Sequence, residues 1–305
     1  MSKCDTRIKI AGVEFKNPVM TASGTFGSGK EYGEYVDINR LGAVVTKGVS
    51  SALWKGNDAP RIAETYGGIL NSVGLQNPGV EEFIEKDIKF LRQFDTKIIV
   101  NIVGRTVEEY CEVARRLSSE DIDLVELNIS CPNVKEGGVA FGTDPQMIEY
   151  VTKEVKKNLR HPLIVKLSPN VTDIVEMAKA AVDGGADAIS MINTLIGMAI
   201  DIHKKRPVLA NTIGGLSGPA IKPVALRMVY QVAKAIDIPI IGMGGIMSGE
   251  DAIGFILAGA TAVAIGTANF TNPRATIDVI GGIENYLTEN NIKNIQEIRG
   301  LAQVK

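Results

Sequence analysis

The chain contains few cysteines, few histidines and few aromatic residues, and these shortages argue against several kinds of function. Its three cysteines, Cys4, Cys111 and Cys131, are an odd number with no CxxC pair. That pattern argues against a disulfide framework, a zinc site or an iron–sulfur cluster held by this chain. Neither of the two histidines stands where it would activate a cysteine nucleophile. An aromatic content of 5% disfavours recognition of nucleic acid by base stacking.

Strong charge and long apolar runs are also missing. The formal net charge is -2, so no basic face is indicated for nucleic acid or for a membrane surface. No apolar run reaches the roughly 18 residues of a membrane span, and the first nine residues lack the apolar segment of a signal peptide. We therefore expect a cytoplasmic protein that binds neither nucleic acid nor membrane, and unpaired thiols agree with that compartment.

Eight short apolar runs alternate with polar or glycine-rich loops and with amphipathic helical patterns. The runs cover residues 18–24, 43–49, 97–104, 124–131, 163–168, 186–194, 238–245 and 262–268. Each is short enough and rich enough in Val, Ile, Leu or Ala for a buried parallel strand. Eight such strands in 305 residues predict an α/β fold, a (β/α)8 TIM barrel, as a single domain over 1–305. A doubly wound open sheet is the alternative, but it usually has fewer strands.

Three segments interrupt this alternation. Residues 7–17 predict an N-terminal β-hairpin at the bottom of the barrel. Residues 50–77 and 195–217 are long connections, and the second contains possible short strands near 199–202 and 207–209. Because both connections follow strands, we expect them to be long βα-loop insertions on the C-terminal rim, where such loops usually build the active site.

Helix starts are marked by capping residues between the strands. Thr106 and Glu109 have the spacing of a capping box, and Ser248 with Asp251 resembles one. Asp144 and Asn272 each precede a proline, the arrangement of a capping side chain before Pro at the first helical position.

Two lysines interrupt apolar strands near their C-terminal ends. They are Lys47 and Lys166. Burying an ammonium group without a partner is costly, so a lysine paired with an inward carboxylate such as Glu126 is one explanation. Two cations on the same rim favour instead an anionic ligand.

Asparagines occupy comparable strand ends at Asn101, Asn128 and Asn193, and Asn71 lies in the first long connection. An amide offers both donors and an acceptor, which suits a heterocycle with alternating C=O and N–H groups. A turn or capping role is the alternative for any one of them.

Glycines near the ends of the last two strands predict a phosphate site. Gly244 and Gly245 close the seventh run, and Gly266 with Thr267 lies late in the eighth. Loops after strands seven and eight of this barrel usually bind phosphate through backbone N–H groups. Glycines that only permit tight turns are the alternative.

Cys131 lies at the end of a strand in which Val125, Leu127 and Ile129 alternate with polar residues. A thiol with an ordinary pKa near 8.5 can act as a general base if its pocket favours the thiolate. The following Pro132 and a glycine-containing loop favour a reactive position, and a buried structural thiol is the alternative.

The motifs together resemble the catalytic subunits of class 1B dihydroorotate dehydrogenases over nearly the whole chain. They are TASGTFG at 21–27, VTKG at 45–48, NSVGLQNPG at 71–79, ELNISCPN at 126–133, VKLSP at 165–169, INT at 192–194, GGLSGP at 214–219 and GMGG at 242–245. The resemblance implies oxidation of (S)-dihydroorotate to orotate in pyrimidine (UMP) synthesis. A hydride would pass to N5 of FMN and the C5 proton to Cys131 as the base.

The resemblance also implies the ligand contacts. One FMN per chain would be held by Ser23, Lys47, Gly48, Asn101, Asn128, Lys166, Ile192, Gly218, Gly244, Gly245, Gly266 and Thr267. Substrate would be held by Lys47, Asn71, Ser72, Val73, Gly74, Leu75, Asn128, Asn193 and Thr194, and no metal is expected. Lys166 would lie near the pyrimidine edge of the flavin and stabilise its reduced anionic form.

The subclass depends on fewer features. Class 2 enzymes have a serine where this chain has Cys131, so the cysteine excludes class 2 and favours class 1A or 1B. Segments 21–27 and 192–200 resemble class 1B more closely than class 1A. Class 1B implies electron transfer to NAD+ through a partner subunit with FAD and a 2Fe–2S cluster, around a homodimer core of a heterotetramer. A fumarate-reducing class 1A enzyme, a flavin-free phosphosugar isomerase or lyase barrel, and a non-catalytic binding barrel are the alternatives.

Overall fold

Sixteen strands are present in the computed structural model, which describes residues 4–129 and 141–304. They are β1 (Ile8–Ile10), β2 (Val13–Phe15), β3 (Val19–Thr21), β4 (Ala43–Val45), β5 (Ile62–Thr65), β6 (Gly68–Asn71), β7 (Lys97–Ile102), β8 (Leu124–Asn128), β9 (Leu163–Lys166), β10 (Ala188–Met191), β11 (Leu195–Met198), β12 (Ile200–Asp201), β13 (Arg206–Pro207), β14 (Ile213–Ser217), β15 (Ile240–Met243) and β16 (Ala262–Ile265).

Eight of these strands close into a parallel barrel in the order β3, β4, β7, β8, β9, β10, β15, β16 and back to β3. All residues of β8, β9, β10, β15 and β16 are buried. Strands covered on both sides are expected to be largely apolar, as the sequence pattern indicated. The closed parallel sheet confirms the predicted (β/α)8 barrel and rules out the open doubly wound alternative.

The α-helices lie between the barrel strands and after the last one. They are α1 (Val80–Phe83), α2 (Lys89–Leu91), α3 (Val107–Leu117), α4 (Pro145–Lys157), α5 (Ile174–Asp183), α6 (Lys222–Ala233), α7 (Gly249–Leu257), α8 (Ala268–Thr271) and α9 (Ala275–Glu289), with a π turn (Ile84–Ile88) joining the first two. Short 3-10 turns cover Tyr32–Glu34, Ile38–Arg40, Phe141–Thr143, Pro219–Ile221 and Ile295–Ile298. No helix among the described residues combines the length and the apolar character needed to cross a membrane.

Three of the four predicted helix starts agree with the structure. The side chains of Thr106, Asp144 and Ser248 accept N–H groups from the first turns of α3, α4 and α7. The prediction for Asn272 is wrong in position, because that residue ends α8 and α9 begins at Ala275 without a side-chain cap. Asn272 instead accepts the N–H of Arg274 and closes the turn between the two helices.

The predicted N-terminal hairpin is the antiparallel pair β1–β2. Ile8, Ile10 and Phe15 are buried in the main core. Lys16, which follows the hairpin, donates to the carbonyl of Asn39 at 2.8 Å and to the carboxylate of Asp95 at 2.6 Å. Both acceptors lie just before barrel strands, so the hairpin covers the amino end of the barrel as expected.

The two long insertions form one sheet, which we call the mouth sheet. Its strand order is β11, β14, β6, β5 and every pairing is antiparallel. Asn71 of the first insertion pairs with Gly215 of the second, and the Asn71 side chain donates to the Gly215 carbonyl at 3.4 Å. The predicted short strands are β12 and β13, which pair beside it. This joint sheet brings residues far apart in sequence to one side of the barrel.

Candidate active site

A cleft of about 400 Å3 lies where the carboxyl ends of the barrel strands meet the mouth sheet. Most of the residues singled out in the sequence line it. They are Ser23, Lys47, Asn71, Val73, Leu75, Asn128, Lys166, Ile192, Asn193, Thr194, Gly218, Gly244, Gly245, Gly266 and Thr267. These side chains come from both insertions and from most barrel strands, so the fold assembles them from across the whole chain.

Four of the expected site residues lie outside this lining. Asn101 is fully buried, and a Cβ on Gly48 would stand 2.8 Å from Asn101 Oδ1. Ser72 is 1% exposed, and Gly74 packs beside Asn57. These residues shape the wall behind the cleft, and a direct role for them in binding stays a prediction.

A buried carboxylate organises the polar floor of the cleft. Glu126 Oε1 accepts Asn101 Nδ2 at 2.6 Å, and Glu126 Oε2 accepts Ser190 Oγ at 2.7 Å. The strands that carry Glu126 and Ser190 are separated by β9, so both side chains point into the barrel. Fully hydrogen-bonded buried groups of this kind hold a single geometry, because an unpaired one is costly.

Two groups that line the cleft are attached to this carboxylate. Lys166 Nζ lies 3.8 Å from Glu126 Oε1, and its side chain is 5% exposed. Asn128 Nδ2 donates to Asn101 Oδ1 at 3.4 Å, so the amide is linked to Glu126 through Asn101. The lysine–carboxylate pair considered from sequence is therefore present, and Lys166 also lines the cleft.

The second lysine approaches from β4. A Cβ on Gly24 would lie 3.4 Å from Lys47 Nζ, which shows how closely the Gly24 backbone borders the ammonium group. Gly24 also has a φ of +81°, a conformation that favours glycine. The cleft thus contains two cations, Lys47 after β4 and Lys166 at the end of β9.

Gly244 and Gly245 form a cradle at the end of β15. Their φ angles are +123° and +75°, values that glycine adopts without steric cost. A Cβ added to Gly244 would lie 2.8 Å from Ala225 Cβ, and one added to Gly245 would lie 2.7 Å from Lys222 Cβ. Within the part of the chain that the structure describes, no backbone acceptor receives the N–H groups of these glycines, or those of Gly266 and Thr267. Such a group of unpaired N–H donors in a cleft suits an anion.

The sequence reasoning missed the apolar side of the cleft. Ile62, Ile69, Met247 and Phe270 line it, and Phe270 is 51% exposed. It also missed the bond from Thr267 Oγ1 to Ser217 Oγ at 2.8 Å, which joins the last barrel strand to the mouth sheet. The alternation of apolar residues around β5 and β6 was the available signal, but the sequence did not show which face would meet the barrel.

Cys131, the expected base, lies outside the described residues. The end of the strand before it is fixed by Tyr110, whose hydroxyl donates to the carbonyl of Asn128 at 2.8 Å. Cys111 is buried in α3, and burial raises the pKa of its thiol. No group of His, Cys, Asp and Glu in the described ranges 4–129 and 141–304 has the arrangement of a metal site.

A closed (β/α)8 barrel whose carboxyl-end cleft gathers two lysines, several amides and a pair of glycines has the architecture of a barrel enzyme. Comparison with known proteins specifies it further. The family model described as dihydroorotate dehydrogenase matches residues 6–287. The chain belongs to the dihydroorotate dehydrogenase family, which confirms the resemblance seen in the motifs and rules out the phosphosugar isomerase or lyase alternative.

Curated relatives match over almost their full length. A protein of Alkaliphilus metalliredigens named dihydroorotate dehydrogenase B (NAD(+)), catalytic subunit, is 74% identical over 300 residues, covering 98% of this chain and 99% of that protein. Proteins with the same name from Alkaliphilus oremlandii and Lachnoclostridium phytofermentans are 71% and 64% identical, each over 98% of this chain and over 99% and 100% of their own lengths.

A solved structure agrees in fold. The crystal structure of the Eimeria tenella dihydroorotate dehydrogenase in complex with ferulenol has a TM-score of 0.84 and 23% identity, covering 99% of this chain and 89% of that one. At that identity the likeness supports the barrel and its insertions rather than any particular contact.

Proposed function

We propose that this chain is the catalytic subunit of an NAD+-linked dihydroorotate dehydrogenase that oxidises (S)-dihydroorotate to orotate in pyrimidine synthesis. Membership of the family sets the reaction, and the relatives named as type B, NAD(+), support the acceptor. The observation that carries the proposal is the meeting of Lys47, Lys166 and the Gly244–Gly245 cradle in one cleft. These groups match a ligand that is anionic at more than one point.

FMN fits the residues that are present. The cleft of about 400 Å3 is within the roughly 300–1,000 Å3 of small-ligand sites. The cradle of Gly244 and Gly245 presents N–H donors and no side chains, which is what a phosphate monoester requires. We propose that Gly244, Gly245, Gly266 and Thr267 hold the phosphate and that Lys166 and Asn128 hold the pyrimidine edge of the ring.

When bound, FMN supplies the two-electron oxidation that no side chain of this chain can perform. The protein binds and orients the reactants and moves one proton. Lys47 provides a positive charge for the substrate carboxylate, and Asn71, Asn128 and Asn193 provide donors and acceptors for the imide. Glu126 fixes the positions of Lys166 and Asn101, and Asn101 in turn accepts a hydrogen bond from Asn128.

Cys131 is our candidate for the base. Its sulfur would take the proton from C5 of dihydroorotate while the ring is held against the cofactor. The chain has no described carboxylate or histidine in the cleft lining that would serve as an alternative.

The relatives are named catalytic subunits of the NAD(+)-linked type B enzyme, and this name implies a second subunit. We propose that the partner carries FAD and a 2Fe–2S cluster and that two copies of this chain form the core of a heterotetramer. We also propose that residues 1–305 form one domain and that the enzyme works in the cytoplasm. A fumarate-reducing class 1A enzyme is the alternative, and the names of the relatives favour the NAD+ type.

Absorbance of the purified chain after incubation with FMN tests the cofactor assignment. We expect one equivalent of flavin to remain with the protein through gel filtration. A colourless protein after incubation with excess FMN would contradict the flavoenzyme proposal. The matched comparison is Gly244→Val. Its side chain would collide with Ala225 and Ile192, and we expect this variant to lose most of the bound flavin.

A further inference from the structure

The loop that follows the glycine cradle is hydrogen-bonded to one carboxylate outside the cleft. Asp251 Oδ2 accepts the backbone N–H of Met247 at 2.9 Å, and Asp251 Oδ1 accepts Lys222 Nζ at 2.5 Å. The N–H of Asp251 donates to Ser248 Oγ at 3.2 Å. The segment from Gly244 to Met247 is therefore tied to α7 by Asp251 and, through Lys222, to α6.

The same segment rests directly on α6. A Cβ on Gly245 would lie 2.7 Å from Lys222 Cβ, and one on Gly244 would lie 2.8 Å from Ala225 Cβ. Two consecutive glycines lose more conformational freedom on ordering than other residues do. A cradle made of glycines therefore needs outside contacts to hold one conformation. In this structure Lys222 and Ala225 of α6 border the two glycines, and Asp251 of α7 binds the N–H of Met247 at the end of the same loop.

Neither of these charged residues lines the cleft. The side chains of Lys222 and Asp251 are 41% and 14% exposed. Burial acts to raise the pKa of Asp251, but hydrogen bonds from Lys222 and from the N–H of Met247 outweigh it and lower the pKa. Asp251 is thus a carboxylate at neutral pH, and its effect on a ligand must pass through the loop or through its field.

We propose that Asp251 and Lys222 are positioning residues that clamp the 244–247 loop in the conformation that binds a phosphate monoester. The clamp rests on the proposed flavin function and extends it. It makes the chain select FMN over riboflavin, which has the same ring system without the phosphate. A residue that only supports the fold would affect both ligands alike.

A simple field effect makes the opposite prediction for one of the two residues. Removing the negative charge of Asp251 would favour a nearby phosphate, and removing the positive charge of Lys222 would disfavour it. A clamp is weakened by either change. Asp251→Asn removes the charged acceptor of the Met247 N–H, and Lys222→Gln removes the bond that fixes this carboxylate to α6. The sign of the Asp251→Asn effect therefore separates the two explanations.

The experiment measures dissociation constants of FMN and of riboflavin by quenching of flavin fluorescence on the full-length chain freed of flavin. We expect Asp251→Asn and Lys222→Gln each to weaken FMN binding about tenfold, the size of a charged hydrogen bond. Riboflavin binding should change less than threefold, which also shows that the variants fold. The double variant should resemble the single ones, since the clamp is broken only once.

The matched control is Glu250→Gln, which removes one negative charge from the same first turn of α7 at an exposed position. It should leave both constants unchanged. Tighter or unchanged FMN binding in Asp251→Asn would overturn the clamp. If Asp251→Asn does not fold, Asp251→Glu is measured instead, because it keeps the charge but displaces the carboxylate. FMN binding to Asp251→Glu as tight as to the wild type would overturn the clamp.

Failure of the clamp and failure of the proposed function give different results. A wild-type chain that binds FMN and riboflavin equally well overturns the clamp and leaves the flavin function intact. A wild-type chain that binds neither flavin overturns both.

Discussion

Lys166 Nζ lies 3.8 Å from Glu126 Oε1 inside the barrel, and the two side chains are 5% and 1% exposed. Asn101 and Ser190 complete the hydrogen bonds of the carboxylate. A buried ion pair of this kind contributes little net stability, but removing one partner leaves a buried charge uncompensated. The pair therefore sets the position of a cation at the cleft and makes the barrel sensitive to changes at Glu126.

We predict that Glu126→Ala lowers the free energy of unfolding by about 3–5 kcal/mol, because Lys166 loses its counter-charge and Asn101 and Ser190 lose an acceptor. Urea unfolding followed by circular dichroism measures this change. The double variant Glu126→Leu with Lys166→Met removes both charges and should recover a large part of the loss. A single variant within about 1 kcal/mol of the wild type would contradict the role of the pair, since that is the size of an ordinary hydrogen bond.

Gly48 tests the wall behind the cleft. A Cβ there would stand 2.8 Å from Asn101 Oδ1 and 2.9 Å from Val103 Cγ1, so Gly48→Ala should displace Asn101. We expect the FMN dissociation constant to rise about tenfold, which corresponds to roughly 1.4 kcal/mol.

Gly281 is the control for this substitution. It lies in α9 with nothing within 4 Å of an added Cβ, so Gly281→Ala should leave FMN binding unchanged and stabilise the helix by up to about 1 kcal/mol. If Gly48→Ala and Gly281→Ala changed FMN binding equally, Asn101 would have no specific role in supporting the FMN site.

Cys131 is tested by turnover with dihydroorotate. We predict that Cys131→Ala retains FMN binding and loses nearly all turnover, because the C5 proton then has no acceptor. Cys131→Ser should keep some activity with its pH profile moved to higher pH, since a hydroxyl ionises far less readily than a thiol. Stopped-flow reduction of the bound flavin across a pH series measures both effects.

Cys111 provides the comparison for these variants. Burial raises the pKa of this thiol and it lies in α3, so Cys111→Ala should leave the rate and the pH profile of reduction unchanged. Normal reduction of flavin by Cys131→Ala would assign Cys131 a structural role instead.

The barrel could be predicted from the sequence because parallel strands buried on both faces appear as short apolar runs. The residues at which these strands end could not be predicted. The run at 186–194 extends beyond Ala188–Met191, since Ile192, Asn193 and Thr194 continue into the cleft wall after the strand pairing stops. Local composition does not distinguish a residue that pairs in the ladder from one that only packs beside it.

The types of residue in the site could be predicted, but the contacts between segments far apart in the sequence could not. Lys47, Lys166 and the Gly244–Gly245 pair were recognisable because cations and glycines are unusual at the ends of apolar strands. The mouth sheet was not predicted, because the pairing of Asn71 with Gly215 joins segments 144 residues apart. Ser190 was missed for a similar reason: its partner Glu126 lies on a strand that is not its neighbour.

The electron acceptor is tested with the isolated chain. We predict that it reduces artificial dyes in the presence of dihydroorotate but does not reduce NAD+, because the proposed route to NAD+ passes through a partner subunit. Absorbance at the NADH band measures the second reaction, with fumarate as the comparison acceptor. NAD+ reduction by this chain alone would contradict the need for a partner, and efficient fumarate reduction would favour the class 1A alternative.

The central claim is that this cleft oxidises dihydroorotate with a bound flavin. Anaerobic titration of the FMN-loaded chain with (S)-dihydroorotate, followed by flavin absorbance, tests it most directly. We predict that the oxidised flavin band is lost in proportion to added substrate and that orotate appears in equal amount. A flavin spectrum that stays oxidised under excess dihydroorotate would contradict the claim.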